Sequence, residues 1–301
     1  MRLSGSITAL ATPFTASGEL DLGAWQRLLQ AQLDAGTQAV VVAGSTGEAA
    51  SLYGGEYDTI LRSAVECCAG RIPVIAGTGQ MNTAKTIEQT RRAAALGADA
   101  ALVVTPAYVR PTQAGLLAHF AAVADDGALP VVLYNVPSRS ACDLLPITVA
   151  QLARHDRIVG IKEALDDPAR MQDLLALRSH AFAVLSGDDA TCARAMLEGA
   201  DGVLSVISNL VPRALRRLCD LALADDRAAA EAWNARLQAI CAFACIEPNP
   251  IPVKAILARL GIGHGLRLPL TALSDLHQPL ASRIEHNVDE LERSCRETLA
   301  A

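Results

Sequence analysis

The chain has 301 residues, 51% of them hydrophobic and only 3% aromatic, so aliphatic side chains and alanine must fill its core. That length suits one barrel-sized domain with an appendage, or two smaller domains. Its net charge of −6 carries no block of like charge, which excludes nucleic acid and anionic membrane surfaces as expected partners.

No apolar run approaches the ~18 residues of a membrane span. Residues 1–10 lack the apolar core of a signal peptide, so a cytoplasmic location is expected. The eight cysteines are scattered without a C-x-x-C pair and read as reduced thiols. The six histidines are dispersed and form no H-E-x-x-H, so no metal is expected.

In chain order, short apolar or β-branched runs fall at residues 6–11, 39–43, 73–76, 100–104, 130–134, 158–161, 182–185 and 202–206. Continuous apolar runs of this length read as parallel strands buried on both faces. Alanine-rich amphipathic stretches lie between them, as at 55–68, 83–96 and 168–177. Gly36, Gly97 and Gly199 stand where helices should end, because glycine supplies the left-handed conformation of a C-terminal cap. Eight strand–helix units predict an α/β fold, the (β/α)8 barrel, over residues 1–224. Residues 225–301 show no strand signal and predict a helical C-terminal extension, broken by prolines at 247–252. The rival is an open doubly wound sheet. Its best sign would be a G-x-G-x-x-G fingerprint, but Gly77-Thr78-Gly79-Gln80-Met81-Asn82 lacks the last glycine.

In such a barrel the chemistry sits at the C-terminal ends of the strands. The sixth strand ends Ile158-Val159-Gly160-Ile161-Lys162-Glu163. By alternation Lys162 shares a face with Ile158 and Gly160, while Val159, Ile161 and Glu163 face the other way. The chain holds 26 Lys plus Arg, yet only Lys85, Lys162 and Lys254 are lysines. Arginine is the default cation, so a lysine at a strand end calls for chemistry that arginine lacks. A lysine can lose its proton near neutral pH and attack a carbonyl. The plainer reading is a lysine snorkelling to solvent.

The fifth strand ends in Tyr134, followed by Asn135-Val136-Pro137-Ser138-Arg139. A phenol can donate and accept protons, as forming and dehydrating a carbinolamine requires. The other reading of Tyr134 is a core tyrosine with its hydroxyl satisfied. The Arg139 fork suits a carboxylate, or simply solvent. After the second strand, Gly44-Ser45-Thr46-Gly47-Glu48 offers two hydroxyls before an expected helix. They could seat a carboxylate, cap the helix, or do both.

These motifs, in order, resemble the dihydrodipicolinate synthase / N-acetylneuraminate lyase family. So do Ile72-Pro73-Val74-Ile75-Ala76-Gly77-Thr78-Gly79, Thr105-Pro106, Ser186-Gly187-Asp188-Asp189 and Glu247-Pro248-Asn249-Pro250-Ile251-Pro252-Val253-Lys254. The segments 134–139 and 247–254 are most similar to the synthase branch. The resemblance implies a carbon–oxygen lyase that condenses pyruvate with L-aspartate 4-semialdehyde in lysine and diaminopimelate biosynthesis. It implies a Schiff base on Lys162, Tyr134 as proton carrier and Ser45 as a hydroxyl relay. Tyr108 would reach into a neighbouring subunit's site. Thr46 would hold the pyruvate carboxylate and Arg139 that of the semialdehyde, with Gly187 and Leu204 lining the pyruvate pocket. No cofactor is implied beyond the covalent lysine, and a homotetramer of tight dimers is.

Departures from the family pattern are informative. Ser45 replaces a usual threonine. Lys85, Ala107, Met81 and Gly54 replace residues of the lysine-feedback pocket of regulated members, which implies weak inhibition by free lysine. The alternatives are another family aldolase, cleaving a sialic acid or keto-sugar, or a silent barrel that only binds. Arg139 argues against the first, and the full set of Lys162, Tyr134, Tyr108 and Ser45 against the second.

Overall fold

The computed structural model describes residues 2–300. Strands and helices alternate: β1 (Gly5–Ala9), α1 (Leu22–Asp34), β2 (Ala39–Val42), α2 (Gly54–Cys68), β3 (Val74–Gly77), α3 (Thr83–Ala95), β4 (Ala100–Val104) and α4 (Gln113–Asp126). There follow β5 (Val131–Asn135), the single turn α5 (Pro137–Ser140), α6 (Pro146–Leu152), β6 (Ile158–Glu163), α7 (Pro168–Leu175), β7 (Ala183–Ser186), α8 (Cys192–Leu197), β8 (Gly202–Ser205) and α9 (Pro212–Leu223). Three more helices close the chain: α10 (Arg227–Ala244), α11 (Ile251–Arg259) and α12 (Gln278–Ala300).

Local chemistry sets the helix ends. Asp21, Asn82, Thr112, Asp167 and Asp226 each accept a backbone N–H of the first turn that follows. Each such cap contributes about 1 kcal/mol. Gly36, Gly97 and Gly199 leave helices at positive φ, where a Cβ would be strained.

All neighbouring strands are parallel, and β1 pairs with both β2 and β8, so the sheet closes. Closure removes the edges an open sheet would expose and rules out the doubly wound alternative. One apolar cluster fills the barrel, with Ile7, Val41, Ile75, Leu102, Val132, Leu185 and Leu204 among its members. A larger cluster joins the outer faces of the strands to the helices and continues through Ile240, Val253 and Ile284 of the last three helices. Two-sided burial is why the strands read as unbroken apolar runs.

Strict alternation along β6 fails at its start. The pairing with β5 shifts register there: Val131 stands opposite Ile158, but Val132 stands opposite Gly160. Ile158 consequently joins the outer cluster, while Val159 packs against the inner one. A bulge inserts one unpaired residue and resets which face follows. Beyond it, Lys162 pairs with inward-facing Tyr134 and Leu185.

Candidate active site

A cleft of about 220 Å³ opens at the C-terminal ends of the strands. Gly44, Ser45, Thr46, Tyr134, Ser138, Arg139, Lys162, Gly187 and Asn249 all line it. Six of the nine lie at or just beyond the end of a barrel strand, on β2, β5, β6 or β7, so strand parallelism itself gathers them. Ser138 and Arg139 follow on the short turn α5, and Asn249 arrives from the C-terminal helical segment.

Lys162 and Tyr134 are both buried, at 4% and 7% exposure. The lysine amine lies 4.4 Å from the centre of the tyrosine ring. A Cβ on Gly187 would fall 2.8 Å from Lys162 Cε, so only glycine leaves room for the lysine stem. Behind this pair the outward-facing neighbours lock the strands together. The Asn135 amide donates to both Glu163 carboxylate oxygens, at 3.1 and 3.0 Å. Arg170 Nε donates to Glu163 at 2.7 Å, and its two terminal nitrogens bind Asp143 at 3.1 and 2.8 Å. Burial pushes the Glu163 carboxyl up, and the Arg170 and Asn135 hydrogen bonds pull against that shift. Glu163 thus faces away from the cleft, as alternation predicts.

The turn after β2 differs from expectation. Residues 45–48 form a turn, and the short 3-10 helix at Ala49–Ser51 has Glu48 as its N-cap without a side-chain cap bond. α2 begins only at Gly54, so neither Ser45 nor Thr46 caps a helix. Thr46 is buried, and its hydroxyl accepts from the Asn249 amide at 3.0 Å. Ser45 is exposed on the cleft side. Arg139 is exposed at the rim and donates to the Asn249 carbonyl at 3.1 Å.

Two expected residues lie apart from the cleft. Leu204 is fully buried in the barrel core, paired with Ile7 rather than facing the opening. The strand has ended by Val206, and that residue lines the cleft instead. Tyr108 is 86% exposed, absent from this cleft, and held at φ +70°. A bulky side chain in left-handed backbone is strained, by about 1–3 kcal/mol.

Sequence reading assigned no role to Asn249, Asp188 or Asp189, although their motifs were visible. Asp189 Oδ2 accepts the backbone N–H groups of Val206 and Ile207, at 2.9 and 3.0 Å. Its Oδ1 and the Oδ1 of Asn249 are buried acceptors without a partner among the described residues. Burial pushes the Asp189 carboxyl up. Only the fold brings the 247–254 segment to β2, so no local pattern could mark Asn249. Among the described residues no group of three His, Cys, Asp or Glu is placed to hold a metal ion. No described helix is long and apolar enough to cross a membrane.

A closed parallel barrel with a cleft at the strand C-termini is the architecture of the (β/α)8 enzymes. The chain belongs to the dihydrodipicolinate synthetase family, whose model matches residues 2–287. It is 65% identical to the 4-hydroxy-tetrahydrodipicolinate synthase of Xanthomonas axonopodis pv. citri, over the whole of both chains. Among solved structures it resembles the chloride-inhibited dihydrodipicolinate synthase of Acinetobacter baumannii complexed with pyruvate. That match has 39% identity and a TM-score of 0.93, and covers 95% of this chain and 99% of that one. A dihydrodipicolinate synthase from Cyanidioschyzon merolae with lysine bound matches at 33% identity and TM-score 0.92, covering 96% and 99%.

Proposed function

We propose that this enzyme condenses pyruvate with L-aspartate 4-semialdehyde to give 4-hydroxy-tetrahydrodipicolinate, through a Schiff base on Lys162. The observation that carries the reading is the buried Lys162 amine beside Tyr134 in a cleft rimmed by Arg139. The amine attacks the pyruvate ketone carbon, and the carbinolamine loses water to give an imine. A proton lost from the methyl group leaves an enamine, which attacks the aldehyde carbon of the second substrate. That substrate's amino group then adds to the imine carbon, closes the ring and releases the lysine.

Tyr134 carries protons in these steps, with Ser45 as relay. Thr46 holds the pyruvate carboxylate, and Arg139 holds that of the semialdehyde. Gly187 leaves the lysine its space. The reaction needs no cofactor beyond the lysine. The exposed, strained Tyr108 supports a homotetramer of tight dimers in which it reaches a neighbouring cleft. A cytoplasmic location agrees with substrates of central metabolism.

The test is reduction by borohydride in the presence of pyruvate. It should inactivate the enzyme and add one reduced pyruvyl mass to Lys162. Labelling that persists in Lys162→Ala would remove the assignment. A condensation assay run beside cleavage of sialic acid and keto-sugars separates this enzyme from other family aldolases.

A further inference from the structure

The turn between β2 and the 3-10 helix is bracketed by two residues in left-handed backbone, Ala43 at φ +55° and Glu48 at φ +51°. Neither is glycine, so the conformation must be imposed from outside the turn. Within it, Gly47 N and Ala49 N donate to the Gly44 carbonyl, and Glu48 N to that of Ser45. From the barrel side, Thr12 Oγ1 donates to the Gly47 carbonyl at 2.7 Å.

The other restraints come from the distant C-terminal segment. The Lys254 ammonium on α11 forms an ion pair with the Glu48 carboxylate, and both residues are buried, at 6% and 4% exposure. The second Glu48 oxygen accepts the backbone N–H of Arg267 at 3.2 Å. Lys254 also lies 4.2 Å from the centre of the Phe14 ring, and the Arg267 guanidinium lies 4.1 Å from the same ring. Lys254 does not line the cleft. Burying a charge pair is costly, and such a pair is a weak source of stability on its own. A pair retained at one end of a strained turn has a more specific use.

We infer that Lys254 and Glu48 are positioning residues: their ion pair holds the 44–48 turn in the shape that presents Ser45 and Thr46 to the cleft. The C-terminal helices thereby set the affinity for the first substrate's carboxylate. This inference rests on the role of Thr46 proposed above. Removing either charge leaves its partner buried and unpaired, so single variants lose stability for that reason alone. The informative variant is the double one, Glu48→Gln with Lys254→Met, which strands neither charge.

The experiment measures steady-state rates and amide hydrogen exchange on the full-length chain. The double variant should fold with parental protection of the barrel strands. Its pyruvate KM should rise at least tenfold, while kcat falls less than KM rises. The amides of Gly47, Glu48 and Ala49 should exchange at least tenfold faster. Glu48→Gly combined with Lys254→Met adds a control, since glycine takes the left-handed conformation without strain. It should show the same rise in KM, because the anchor is lost. A folded Glu48→Gln, Lys254→Met variant with parental KM and parental exchange in the turn would overturn the inference, as would a Glu48→Gly, Lys254→Met variant matching the parent. Should the parent itself trap no pyruvate, the functional reading fails, and the exchange measurement alone still decides whether the pair holds the turn.

Discussion

Lys162 and Tyr134 occupy the same register row of adjacent strands, with the lysine amine 4.4 Å from the tyrosine ring centre. A slip of one residue between β5 and β6 would turn one of them out of the barrel. The bulge at the start of β6 and the Glu163–Asn135 clamp at its end are the features that hold this row. Four predictions follow from this arrangement and its surroundings.

The role proposed for Arg139 confines it to the second substrate. Its guanidinium is exposed at the rim in the free enzyme, so the lower end of the range for a charge-assisted pair applies, about 2 kcal/mol. Arg139→Ala should lower kcat/KM for the semialdehyde roughly 30-fold, while borohydride trapping of pyruvate continues at the parental rate. Equal loss of both steps would instead identify a structural role through its bond to Asn249.

The role proposed for Tyr108 places it in a neighbouring subunit's site. Tyr108→Phe and Tyr134→Phe should each be close to inactive. Oligomers mixed from the two should regain activity, because some sites then hold both native tyrosines. Hybrids verified by mass spectrometry that remain inactive would show that the residue is not shared.

Free lysine should inhibit poorly. Lys85 and Met81 are both exposed on or before α3, and Gly54 opens α2 without a side chain. An ammonium on Lys85 repels a ligand ammonium ~4 Å away by roughly 1 kcal/mol in water and about 4 kcal/mol at an effective dielectric of 20. Initial rates at saturating pyruvate should show half-inhibition only well above about 1 mM, a level that corresponds to ~4.1 kcal/mol of binding. Half-inhibition below that level would mean that lysine binds through other contacts.

His119 ties stability to pH. It is buried on α4, with Nδ1 3.0 Å from Thr83 Oγ1 and Nε2 without a partner among the described residues. Burial lowers its pKa from 6.5 to about 4. The unfolded chain therefore binds the extra proton between those values, so stability is complete above pH 6.5 and is lost as pH falls towards 4. The expected loss is roughly 3 kcal/mol. Urea unfolding of the protein and of His119→Gln, compared at stepped pH, should show a flatter dependence for the variant across that window. Parallel curves would contradict the assignment.

Local patterns along the chain determined the eight strands, the helices between them and the glycines that end them. Each of these depends on neighbours within a few residues. The same patterns marked Lys162, Tyr134, Thr46 and Arg139, because strand ends in a parallel barrel meet at one mouth. The tertiary structure decided the rest. It moved Val159 inward through a register shift that depends on pairing with β5, and it placed Leu204 in the core because β8 ends a residue later, at Ser205. It showed the 44–48 segment to be a turn held in left-handed backbone rather than a helix cap. It also brought Asn249 and Lys254, some 200 residues away in sequence, against Thr46 and Glu48. Contacts at that separation leave no periodicity or spacing in the chain, since they arise only when the barrel closes and the last helices pack across its mouth.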